Sequence, residues 1–173
     1  MDELLAEGRD LAFVSNIDNL GASIDLRLLG YLASEASSFL MEVVDRTESD
    51  SKGGHLASAI SGELILRELA QCPPEDRDFF QDIKRHRYFN TNNIWLNLRV
   101  LRDVLSKNNG ILDLPLICNK KNVDPRSPES TQVFQLETAM GSAITVFPDA
   151  TAVRVSRDRF WIWILTPTWQ QQF

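Results

Sequence analysis

Polar side chains with ligand-like chemistry recur beside apolar runs in this chain. Asn16 and Asp18 follow "LAFVS", Asn90 and Asn92 interrupt "YFNTNN", and Asn119 ends "LPLIC". An amide offers one donor and one acceptor, suited to sugar hydroxyls and phosphate oxygens. An aspartate offers a hard, charged oxygen of the kind Mg²⁺ takes. The same residues are good turn formers, so each alone reads first as a strand terminator, and only their repetition points to a site.

"SDSKGG" sets Lys52 before Gly53 and Gly54. Glycines admit an anion to backbone N–H groups and the lysine supplies a point charge. A flexible turn with a solvated lysine has the same composition, and the G-x-x-x-x-G-K spacing of a Walker loop is absent. Glu68 lies inside "LILRELAQ", where an outward-facing strand residue is the simple reading. Glu42, Asp45, Glu48 and Asp50 read as a solvated acidic segment, with Arg46 as a partner for one of them. His55 and His86 have no metal-ligand partners at matching spacing, which leaves surface or capping roles. No Ser-His-Asp or Cys-His arrangement can be placed. A site of Asn, Asp, Lys and Gly suits phosphoryl or nucleotidyl transfer, where positioning and charge stabilisation do most of the work.

These residues need a frame. Leu11 to Asn16 reads as a short buried strand, and Asp25 as the N-cap of a helix through "LRLLGYLASEA". "FLMEVV" is apolar enough to be a strand buried on both faces. "HLASAI" and "ELILREL" flank Ser61-Gly62 as a hairpin. Pro73-Pro74 opens a helix through "EDRDFFQDIKRH", and "RYFN" is a short strand. Ile94, Leu98, Leu101 and Leu105 mark an amphipathic helix ending near Asn109-Gly110. "LPLICN" and "TAVRV" read as strands, "KKNVDPRSPES" as a loop, and "QLETAMGSAITVF" as a helix. This alternation predicts an α/β domain with a mostly parallel sheet.

The length of 173 residues and the 43% hydrophobic content allow a domain with a real core. A net charge of -6 argues against broad nucleic-acid binding, which needs a basic face. No apolar run reaches membrane-span length. "MDELLAEGRD" has no signal-peptide core. Cys72 and Cys118 are too few for a disulfide framework and are expected to be reduced, partly buried thiols in a cytoplasmic protein.

Taken together, "FVSNIDNLGA", "MEVVDRTESDSKGG", "RELAQCP", "YFNTNNIWLNL", "QLETAMGSAI" and "VSRDRF" occur in the order and spacing of a known family. The chain resembles the eukaryotic-type UTP–glucose-1-phosphate uridylyltransferases, or UDP-glucose pyrophosphorylases, from Leu11 to Phe160. The resemblance implies a Rossmann-like nucleotidyltransferase domain. A glucose-1-phosphate oxygen would attack the α-phosphate of UTP with Mg²⁺ assisting, giving UDP-glucose and pyrophosphate. By position, Asp18 matches the aspartate near nucleotide and metal, and Lys52, with Gly53 and Gly54, the phosphate-holding "KGG". Asn16 matches a position beside the sugar phosphate, while Glu68, Asn90 and Asn92 match glucose-binding positions. Glu137 lies in another matching segment.

The resemblance also carries differences. In the family a glycine-rich loop that grips UTP precedes these motifs, and the ten residues before Leu11 do not supply it. Where the family continues to Pro-Val-Lys-Thr, this chain reads "WIWILTPTW", with Ile164 at the lysine position. Residues 1–160 are thus expected to be the central portion of a catalytic domain and 161–173 a divergent tail, in a truncated form of low or no activity. The alternative is a non-catalytic nucleotide-sugar-binding or regulatory remnant.

Overall fold

The computed structural model describes residues 1–34 and 37–161. Ile164 and most of the expected tail lie outside the described residues. The elements are α1 (Asp2–Ala6), β1 (Leu11–Val14), α2 (Leu26–Ser34), β2 (Phe39–Asp45), β3 (His55–Ser58) and β4 (Leu64–Arg67). They continue as α3 (Arg77–Gln81), β5 (Tyr88–Asn97), α4 (Leu98–Lys107), β6 (Leu116–Asn122), β7 (Gln132–Thr138) and β8 (Thr151–Arg154).

One sheet runs β4-β3-β5-β2-β8, with β1 also paired to β5. Among the described residues only β2 and β8 pair in parallel. β5 is antiparallel to β1, β2 and β3, and β3–β4 is the expected hairpin. The architecture is α/β, but the expected mostly parallel sheet is mixed and mostly antiparallel. The short helices do not act as crossovers between neighbouring parallel strands, so their alternation with strands misled.

β2 is buried as its unbroken apolar run demands. Its alternate residues feed opposite faces. Phe39, Met41 and Val43 pack with Leu66, Ile94, Ile144 and Phe147, while Leu40 packs with Leu32 of α2 and Trp95. Each such side chain contributes about 1.5–3 kcal/mol by leaving water. Asp25 caps α2 as expected: its Oδ1 accepts the Arg27 backbone N–H at 2.8 Å.

Other local expectations change. Ile94 belongs to β5, not to the helix; α4 starts at Leu98, where the Asn97 side chain accepts the N–H groups of Arg99 and Val100. "QLETAMGSAITVF" is not one helix. Its first part is β7, paired over seven positions to β6, and Met140–Thr145 is a 3₁₀ turn. Phe134 and Leu136 alternate with Gln135 and Glu137, and this period-two pattern outweighs helix propensity once a partner strand is present. "KKN" joins β6 for the same reason. The Pro73-Pro74 helix is short, a 3₁₀ turn followed by α3. Cys72 is buried and Cys118, expected to be partly buried, is exposed; both are free thiols. Among the described residues no helix is long and apolar enough to cross a membrane.

Candidate nucleotide-sugar site

The two edges of β5 are used unequally. β2 lies along one edge. The other is shared end to end by β1, opposite Ile94–Asn97, and β3, opposite Phe89. Thr91, Asn92 and Asn93 fall in the opening between them. The chain leaves β1 through Ser15 to Asp18 on one side of this opening and enters β3 through Lys52-Gly53-Gly54 on the other. Such a split beyond a strand's carboxyl end is where open α/β sheets bind ligands.

The "FNTNN" segment bulges at that opening. Met41 pairs Ile94 and Val43 pairs Asn90, so β5 holds the extra residues. Asn92 supplies the turn with a φ of 57°, in the left-handed region that asparagine tolerates. The Thr91 hydroxyl donates to the Glu42 carbonyl at 2.7 Å and accepts the Asn93 N–H at 3.1 Å, replacing lost ladder bonds. Bulges of this type re-aim side chains beside functional sites. Here the bulge locks two amides together. Asn90 Nδ2 donates to Asn92 Oδ1 at 2.7 Å, and the Asn92 N–H donates to Asn90 Oδ1 at 2.9 Å.

Gly54, Glu68, Asn90 and Asn92 converge. The Asn90 N–H donates to the Gly54 carbonyl at 3.1 Å. A Cβ at Gly54 would overlap the Glu68 carboxylate, and one at Gly141 would lie 2.7 Å from Asn90 Nδ2. Burial, then the charge of Glu137, raises the Glu68 carboxyl above its ordinary range. Glu137 in turn accepts from Asn119 at 2.6 Å. Gly53 is required by a different neighbour, because the Phe89 ring fills the space of its Cβ.

Asn16, Asp18 and Lys52 are exposed at the rim. Asp18 and Lys52 make no ion pair among the described residues. Of the eight expected site residues, Gly54, Glu68, Asn90 and Asn92 thus form one cluster, Asn16, Asp18 and Lys52 lie exposed at the rim, and Gly53 packs against Phe89.

The structure adds residues that sequence reasoning missed. Glu42, expected in a solvated segment, is 0% exposed. It is held there by four donors: Arg159 Nε at 2.7 Å, Arg159 Nη2 at 2.6 Å, Trp95 Nε1 at 2.8 Å and Asn93 Nδ2 at 3.2 Å. Its signal was an acid within "FLMEVV", a position no solvated residue takes. Asp50 is also buried, closing a capping box with Thr47 and pairing with Arg157. Arg46 does not hold a carboxylate but the carbonyls of Asp50, Ser51, Gly53 and Phe80. His55 is buried rather than at the surface, between Phe80 and His86.

The family model described as UTP–glucose-1-phosphate uridylyltransferase matches residues 1–162. The enzyme of that name from Encephalitozoon cuniculi is 46% identical over 160 residues, 92% of this chain and 31% of the relative. The Saccharomyces cerevisiae enzyme is 42% identical over the same share of each. The UDP-glucose phosphorylase structure from Trypanosoma brucei superposes with a TM-score of 0.87 at 51% identity, over 94% of this chain and 35% of that one. A Leishmania major UDP-glucose pyrophosphorylase variant in complex with UDP-glucose gives 0.84 at 48%, over 93% and 36%. The chain spans about a third of the length of the relatives it matches. On sequence and fold together, it belongs to the UTP–glucose-1-phosphate uridylyltransferase family.

Proposed function

We propose that this chain carries the sugar-phosphate side of a uridylyltransferase site that makes UDP-glucose and pyrophosphate from UTP and glucose-1-phosphate. The observation that supports this reading is the opening on one edge of β5, where Gly54, Glu68, Asn90 and Asn92 form a small polar floor. Amide and carboxyl groups at fixed separation on a rigid bulge suit a ring of vicinal hydroxyls. Asn16 lies on the β1 side, where it would face the sugar phosphate. Lys52, with the Gly53 and Gly54 backbone, lies on the β3 side, where a point charge would hold phosphate oxygens. In the reaction a glucose-1-phosphate oxygen attacks the α-phosphorus of UTP and pyrophosphate leaves.

Asp18 would hold Mg²⁺. Among the described residues no three acidic, His or Cys side chains cluster as a metal cage. A single exposed, unpaired carboxylate fits Mg²⁺ nonetheless, since that ion is commonly held by one or two carboxylates plus substrate phosphates. When bound, the ion would offset phosphate charge. In this reading residues 1–160 are the central portion of the nucleotidyltransferase domain and 161–173 a divergent tail. The free thiols Cys72 and Cys118 support a cytoplasmic setting.

Titration calorimetry with UDP-glucose and Mg²⁺ tests the site. Binding that weakens at least about ten-fold in both Asn92→Ala and Asp18→Ala is expected, the loss of one or two charge-assisted or buried hydrogen bonds. No binding, or binding indifferent to both substitutions, overturns the assignment. A second reading, a nucleotide-sugar-binding module without turnover, is favoured by Ile164 at the position of the family's lysine. A coupled pyrophosphate-release assay with UTP, glucose-1-phosphate and Mg²⁺ separates the two.

A further inference from the structure

The 3₁₀ turn Arg157–Arg159 after β8 reaches two loops through its two arginines. Arg159 grips the β1 side. Besides Glu42, it donates from Nη2 to the Ser23 carbonyl at 2.8 Å and from Nη1 to Ser23 Oγ at 3.3 Å. Its own carbonyl accepts from Asn19 and Asn93, each at 3.1 Å. Asn19 Oδ1 then accepts the N–H groups of Gly21 at 3.1 Å and Trp161 at 2.9 Å, and Leu20 donates to the Trp161 carbonyl at 2.8 Å. The approach is so close that a Cβ at Gly21 would overlap the Asp158 carbonyl.

Arg157 grips the β3 side. It donates to the Asp45 carbonyl at 2.9 Å and to the Asp50 carboxylate at 2.8 Å. Asp50 organises the entry to Lys52: its carboxylate accepts the Thr47 N–H at 2.9 Å, and its carbonyl accepts the Gly53 N–H at 2.9 Å. The adjacent Phe160 ring lies 5.1 Å from Phe89, the ring that packs on Gly53.

We propose that this turn is a two-armed brace, with Arg159 and Arg157 as positioning residues that set the Asn16–Asp18 loop and the Lys52–Gly54 loop at a fixed separation across the opening. The arms differ in stiffness. Glu42 is fully buried and the Arg159 side chain only 15% exposed, so any slip would leave a buried charge short of donors. The Arg157 side chain is 41% exposed and its bond to Asp50 can be replaced by water. The Lys52 side is therefore the adjustable one. The consequence for ligand affinity rests on the nucleotide-sugar reading above; the consequence for loop order does not.

Hydrogen exchange read by mass spectrometry on the chain, with UDP-glucose calorimetry beside it, tests the brace. In Arg157→Ala, exchange in residues 47–54 is expected to rise about ten-fold while residues 16–23 and the β2 and β5 core stay protected. Arg159→Lys, which keeps a charge near Glu42 but loses the fork, is expected to do the reverse, as is Asn19→Ala. Arg157→Lys is expected to recover part of the UDP-glucose affinity that Arg157→Ala loses. Both loops loosening together in every variant, or neither loosening, overturns the brace. Absence of UDP-glucose binding by the unmodified chain removes the proposed function but leaves the exchange result decisive.

Discussion

The Glu68 carboxylate lies over Gly54, in the space where any other residue would carry its Cβ. The backbone of the "KGG" loop and the acid of "REL" thus share one contact, although fourteen positions of chain separate them. The carbonyl of the same glycine accepts from Asn90, so three of the expected site residues meet at one peptide. That contact has a direct consequence for substitution.

Gly54→Ala is expected to push Glu68 off the Asn90–Asn92 floor. Overpacking at so close a contact costs about 1–3 kcal/mol, from which a melting-temperature drop of several degrees follows. UDP-glucose affinity should fall by about ten-fold or more, because the displaced acid is part of the proposed sugar floor. Calorimetric titration beside a thermal melt measures both. Unchanged affinity with a lowered melting temperature would separate Glu68 from the ligand.

Gly30→Ala should act in the opposite direction. Gly30 lies inside α2, and a Cβ there would meet nothing within 4 Å. Alanine removes the entropic cost of a helical glycine and should stabilise the chain by about 0.5–1 kcal/mol. Chemical denaturation of the two proteins side by side provides the measurement, and UDP-glucose affinity should not move.

Glu68 should titrate above an ordinary glutamate, chiefly from burial and secondarily from Glu137. In Glu137→Gln the second cause disappears, so the Glu68 midpoint should move down yet stay above 4.5. Carbon-detected NMR of the side-chain carboxyls reads the midpoint directly. A midpoint that falls fully to the ordinary value would assign the whole shift to Glu137 instead of to burial.

Most strands, the β3–β4 hairpin and the polar exit of β1 at Asn16 and Asp18 were legible in the sequence, because period and turn chemistry are local, whereas Asn90, Asn92 and Asn119, expected at strand ends, lie within β5 and β6. Asp25 as a cap and β2 as a doubly buried strand follow from neighbours only. The sheet direction was not legible, since it depends on which strands β5 meets. β7 read as a helix because its partner β6 lies outside the window that any propensity sees. Glu42, Asp50 and His55 read as surface residues by type, and only their long-range donors or stacked rings explain their burial. The Arg157 and Arg159 side-chain contacts were invisible for the same reason: their partners Asp45, Asp50, Glu42 and Ser23 lie more than a hundred positions away.

Acid should destabilise the chain through His55. Its ring is buried between Phe80 and His86, neither ring nitrogen has a partner among the described residues, and burial pushes it down to about 3, with His86, Arg46 and Arg67 adding repulsion. In the unfolded chain it takes a proton near 6.5. Between these values the unfolded state binds more protons, so stability is whole above about pH 6.5 and falls as pH drops toward 3. The slope approaches about 1.4 kcal/mol per pH unit for one such group. His55→Phe keeps a ring in the stack and cannot be protonated. Its melting temperature should fall less between pH 6.5 and 4.5 than that of the unmodified chain, a range that lies between the unfolded and folded values of His55. Asp50 erodes stability in a lower window: desolvation raises its carboxyl, but hydrogen bonds from Arg157 and Thr47 outweigh it and hold the net value below 3.8. Identical acid limbs for the two proteins would mean that His55 opens to solvent before the chain unfolds.

Glu42 offers the sharpest contrast between removing a charge and removing a donor. Glu42→Ala leaves Arg159, Trp95 and Asn93 without their common acceptor and is expected to cost about 3–5 kcal/mol, the scale for breaking a buried ion pair. Trp95→Phe removes one of four donors but leaves the ion pair whole, and the lost hydrogen bond to a charged group should cost about 1.5–3 kcal/mol, with some lost packing in addition. Glu42→Gln keeps the shape but loses the charge and turns one acceptor oxygen into an NH2 that faces two donors, and it should fall between the other two. Equilibrium denaturation of the three variants tests the ranking. If Glu42→Gln matched the unmodified chain, the buried charge itself would contribute nothing, and the network would be held by shape and neutral hydrogen bonds alone.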